Sequence, residues 1–109
     1  MPFDEALAQR TRSLIRGDYA VEEKRMFGGL AFMVNGHMCS GISGQDLMVR
    51  VGPDIFEQAL KRPHARPMDF TGRPLRGFVY VSPEGCRTSA KLNGWVKLGL
   101  DFALSLPPK

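Results

Sequence analysis

Two adjacent glycines, Gly28 and Gly29, separate Arg25-Met26-Phe27 from the apolar run Leu30-Ala31-Phe32-Met33-Val34, which ends on Asn35-Gly36. An Asn-Gly pair flanked by apolar residues is a strong short-range signal for a tight β-hairpin, because both turn residues must take positive φ. The glycine pair ahead of it weakens strand pairing and permits a bend. The middle of the chain is therefore committed to short strands. Residues 24–34 read as strand material broken or bulged at Gly28-Gly29, 37–43 as the next strand, and 47–51 as a third after a turn at Gly44-Gln45. Links this short demand antiparallel neighbours, so the unit is a meander.

Helices flank it. Phe3, Leu7 and Leu14, with Ala6 and Ile15 beside them, recur at helical spacing, with acids first, arginines last and Gly17 beyond. That order suits the helix dipole and predicts a helix over 3–16. Pro53 followed by Ile55, Phe56, Ala59 and Leu60 predicts a short middle helix ending near Arg62. Residues 68–70 read as a brief edge strand, and 75–81, rich in β-branched and aromatic residues, as a firmer one. The last helix runs from near Thr88 to just before Pro107. It carries Leu92, Trp95, Val96, Gly99, Phe102, Ala103 and Leu106 on one stripe. Gly94 and Gly99 inside it each cost about 1 kcal/mol against alanine, which suggests close approach to the sheet. The fold class is α+β, an antiparallel sheet in α-β-β-β-α-β-α order with helices packed mainly on one face.

A length of 109 residues sets one domain over 1–109. The longest uninterrupted apolar stretch is five residues, 30–34. No membrane contact or secretion signal is expected, and the expected location is cytoplasmic. Cys39 and Cys86 lack CxxC spacing and read as buried or idle thiols. The charge is uneven. Lys61, Arg62, Arg66, Arg73, Arg76, Arg87 and Lys91 face only Asp69 and Glu84 within 61–91, a surplus of +5 against −1 elsewhere.

Each motif has a simpler structural reading beside the functional one. His37 and Cys39 share a strand face, but two ligands do not make a metal site, and nothing requires His64 and Cys86 to join them. Gly41-Ile42-Ser43-Gly44 spells a nucleic-acid clamp that must join two helices, and here it lies between strands. No nucleophile motif gathers Cys39 or a serine with a base. The candidate contact residues are Arg25, Met26, Phe27, Gly28 and Gly29 at the turn, with Met48 and Arg50 on the sheet. The turn reads either as an anion-accepting loop or as a bulge that lets the strand bend. Met38 and Ile42 are expected to share a sheet face by alternation, giving a second face of Met, Ile and Arg character. That face is either a partner or subunit surface or is covered by the middle helix.

Arg25-Met26-Phe27-Gly28-Gly29, the hairpin Gly36-His37-Met38, the strand at 47–50, Gly77-Phe78-Val79-Tyr80 and the Trp95-bearing last helix together resemble the N-terminal domain of the TfoX/Sxy regulators of natural competence in some bacteria. The resemblance spans residues 10–105 and implies a compact α+β domain with a regulatory role. Full-length members carry a second, C-terminal domain, which is not expected in a chain ending at Lys109. The family supplies no catalytic residues to carry over.

The expected function is thus a non-enzymatic regulatory and protein-interaction module, with a homodimer as one form. No catalytic, cofactor-binding or metal-binding residues are expected. The alternative is a nucleic-acid-binding accessory protein using Lys61, Arg62, Arg66, Arg73, Arg76, Arg87 and Lys91, with phosphate contacts and stacking on interleaved aromatics including Phe70. A small-molecule pocket between the last helix and the hairpin is a third reading, without a motif of its own.

Overall fold

A computed structural model describes residues 3–26, 28–69 and 74–108. The elements in chain order are α1 (Glu5–Leu14), β1 (Val21–Met26), β2 (Gly29–Val34), β3 (His37–Ser43), β4 (Asp46–Arg50), α2 (Phe56–Leu60), β5 (Ala65–Asp69), β6 (Pro74–Val81), a 3₁₀ turn (Pro83–Cys86) and α3 (Ser89–Ser105). The six described strands form one antiparallel sheet in the order β1-β2-β3-β4-β6-β5. The α+β class holds, with one more strand in the opening meander than the sequence reading counts.

The extra strand comes from Gly28-Gly29, which is a reversal rather than a bulge. Met26 pairs with Gly29, and Gly28 turns the chain at φ +73°. Gly29 answers a different need, since a β-carbon there would overlap the Ile42 carbonyl oxygen on β3. Phe27, between Met26 and Gly28, lies outside the described residues, as do Phe70 and Arg73. At Asn35-Gly36 the expected tight turn is present, with φ +52° and +86° and Val34 paired to His37.

Helix ends follow their caps. Asp4 Oδ1 accepts the Leu7 amide at the start of α1, and Thr88 Oγ1 accepts the Lys91 amide at the start of α3. The buried residues of all three helices join one core: Leu7 and Ala8 from α1, Phe56 and Ala59 from α2, and Leu92, Trp95, Val96 and Ala103 from α3. They meet Phe32, Val34, Ile42, Leu47, Val49, Val79 and Val81 of the sheet. The helices therefore share one face.

The opposite face holds a second apolar cluster of Ala31, Met38, Met48 and Met68, flanked by half-buried Met26, Met33, Leu75, Phe78 and Tyr80. Five of the six methionines of the chain lie here. The composition of this face differs from the expected one. Phe32 pairs with Ser40 and Met33 with Met38, so Cys39 is an extra residue on β3. This bulge puts Met38 on the methionine face while Ile42 and Cys39 enter the helix-covered core. The middle helix does not fold over the methionines. Met38, Met48 and Met68 are buried all the same.

Candidate functional site

The turn and sheet residues singled out from the sequence do not form one site. Arg25 projects from β1 on the helix-covered side, 5.8 Å from the Phe3 ring, whereas Met26 and Met48 belong to the methionine cluster. Arg50 lies 5.4 Å from the Phe78 ring and 5.1 Å from that of Phe102. Strands β2 and β3 separate β1 from β4, a span of about 14 Å at ordinary strand spacing. Gly28 is exposed and Gly29 buried.

The basic segment is also dispersed. Arg66 is held by Asp46 in an ion pair, donates to Ser82 Oγ, and lies 4.9 Å from the Tyr80 ring. Lys61, Arg76 and Arg87 are exposed at three separate places, just after α2, on β6 and just after the 3₁₀ turn. Arg62 and Lys91, 29 positions apart, do meet, across a cleft of about 230 Å³ between the α2–β5 link and the first turns of α3. Its walls include Arg62, His64, Gly85, Lys91, Gly94 and Trp95, with no carboxylate among the residues that line it. Arg62 lies 5.0 Å from the ring centroid of Trp95, which is only 4% exposed.

His64 shapes this cleft through its backbone. It sits at φ +69°, a left-handed conformation uncommon for a side-chain-bearing residue. Its carbonyl accepts the Ser82 amide at 2.9 Å, which ties the link to the end of β6. Gly85 fits beneath because a β-carbon there would stand 2.6 Å from Val81 Cγ1 and 2.9 Å from His64 Cβ. No motif in the sequence marks this place; the converging signal is the left-handed turn and a glycine on a helix face.

The groups considered for chemistry are otherwise engaged. His37 Nε2 lies 2.7 Å from the Pro107 carbonyl oxygen and donates to it, because a carbonyl only accepts. Burial pushes the Cys39 thiol up to about 11 and raises Cys86 as well, so neither is a thiolate at neutral pH. Among the described residues no three His, Cys, Asp or Glu side chains gather as metal ligands. No described helix is long and apolar enough to cross a membrane.

The outer edge of β1 is a further feature, and one that the sequence reading did not single out. β1 closes one side of the sheet, and no described strand pairs with its outer edge. Val21, Glu22, Glu23, Lys24 and Arg25 are all exposed. Glu23 receives two hydrogen bonds from the Arg12 guanidinium of α1, which hold its carboxyl below the usual range.

No curated protein and no solved structure matches this chain. Among protein families, residues 14–103 match the TfoX N-terminal domain, a span that takes in every strand, the middle helix and most of α3. The match covers most of the 109 residues, and the chain belongs to the TfoX N-terminal domain family.

Proposed function

We propose that this chain is a non-enzymatic regulatory module that works through protein contacts, and that its first partner is a second copy of itself, joined edge to edge along β1. The supporting observation is the open β1 edge with its order of charges. A twofold axis normal to the sheet at Glu23 sets Glu22 of one copy opposite Lys24 of the other, and the reverse. Both residues stand on the methionine side, because Glu22 pairs with Met33 and Lys24 with Ala31 within the chain. Opposite charges directly across a strand pair are favourable by about 0.2–1 kcal/mol each, and unpaired main-chain groups supply the rest. Glu23 would meet its own counterpart at the axis, and there its bond to Arg12 offsets the like charge.

Analytical ultracentrifugation over a wide concentration range tests this. Wild type is expected to self-associate, Lys24→Glu to be monomeric, and the swap Glu22→Lys/Lys24→Glu to recover the dimer. A wild type that stays monomeric at millimolar concentration, or a Lys24→Glu variant that dimerises equally well, rejects the reading.

A nucleic-acid role through 61–91 draws support only from Arg62 and Lys91, which lie together at the cleft. If charge reversal at these two leaves weak DNA or RNA binding and its salt dependence unchanged, that role is lost.

A further inference from the structure

Gly94 is a helix-interior glycine with no steric reason to be one. A β-carbon there would have nothing within 4 Å. Gly99, one and a half turns on, has backbone pressed against it. The close approach expected for both therefore holds for Gly99 alone. Keeping glycine at 94 costs about 1 kcal/mol of helix stability without relieving any contact. What it does is leave open the cleft it lines, beside the Trp95 indole.

We propose that the cleft between the α2–β5 link and α3 binds a small organic anion, a phosphate or carboxylate carried on a flat apolar body. The charge comes from Arg62 and Lys91, one on each wall, with the His64 imidazole beside them and no acid among the residues that line the cleft. The apolar body takes the space over Gly94, against Trp95 and Pro63. Arg62 already lies over the indole at 5.0 Å, so its guanidinium is positioned before any ligand arrives. The left-handed His64 is held by the Ser82 amide, which fixes the opposite wall. At about 230 Å³ the cleft suits a single ring with one anionic group. It lies by β5, at the far edge of the sheet from β1, so it stands independently of self-association. It is also a different place from a pocket between the last helix and the hairpin.

Trp95 is the only tryptophan, so its emission reports on this cleft directly. The probes are phenyl phosphate, benzoate, phenol and inorganic phosphate, with excitation at the red edge of the indole band. Saturable change with phenyl phosphate or benzoate, at a Kd below about 1 mM, is expected, and the tighter of the two identifies the anion. Phenol is expected to bind at least tenfold more weakly. Gly94→Leu fills the cleft while favouring the helix, and it should abolish the response with Tm unchanged or raised. Lys91→Gln should weaken binding severalfold. Absence of saturation with either aryl anion overturns the proposal. So does inorganic phosphate binding as tightly as phenyl phosphate, or a Gly94→Leu protein that still binds.

Discussion

Gly99 of α3 passes so close to Cys39 of β3 that a β-carbon on Gly99 would overlap the Cys39 carbonyl oxygen. The helix is seated on the bulged strand at this point, and only a hydrogen fits between them. Gly99→Ala must lift the helix or shift the strand, at a cost of about 1–3 kcal/mol that outweighs the gain in helix propensity. Gly94→Ala, with open space around it, is expected to stabilise by up to about 1 kcal/mol. Urea midpoints of the two variants should move in opposite directions.

Thr11 faces the core from α1 with 0% exposure, and its Oγ1 has no hydrogen-bond partner among the described residues. Burying a hydroxyl without a partner costs on the order of 1 kcal/mol or more. Valine has nearly the same shape and similar helix propensity. Thr11→Val should therefore raise Tm by about 4 °C, read by thermal unfolding.

The methionine face is a second core, and truncation there should say so. Met48 is 0% exposed, between Gly41 on β3 and Tyr80 on β6. Met48→Ala is expected to cost about 2–5 kcal/mol in chemical denaturation. Val21→Ala, on the edge strand at a residue 40% exposed, serves as the comparison and should stay within about 0.5 kcal/mol. Equal, small effects at both positions would mean that Met48 is not part of a packed core.

Asn35-Gly36 and the Trp95 stripe are legible in the sequence because each rests on local physics, positive φ in one case and helical period in the other. The bulge at Cys39 is not. An inserted residue leaves no mark in the letters, and strict alternation places Ile42 with Met38 on the wrong side. The two helix glycines look alike in the sequence, and only their surroundings separate a packing glycine from an open one. The cleft draws on 62–64, 85, 90–91 and 94–95, brought together by a left-handed link and a 3₁₀ turn that no periodicity announces. Net charge over 61–91 is a property of the chain, whereas among its described cations Arg66 pairs with Asp46 and Arg62 and Lys91 line one cleft.

Cys39 gives the fold a pH dependence on the alkaline side. Burial raises its thiol to about 11 in the folded chain, against roughly 8.5–9 when unfolded. Between those values the folded state holds a proton that the unfolded state has released. This contribution is complete below about pH 8.5 and is lost as pH climbs towards 11, the loss amounting to roughly 1–2 kcal/mol by pH 10. Tyr19 is also raised by burial, so the difference between wild type and Cys39→Ala isolates the thiol. Urea midpoints taken from pH 7 to 10.5 should fall more steeply for wild type than for the variant. Thiol labelling at pH 8 should be slow for both cysteines in the native protein and fast once urea unfolds it. Parallel pH profiles for the two proteins, or prompt native labelling of Cys39, would mean that β3 opens beneath α3 far more readily than the Gly99 contact allows.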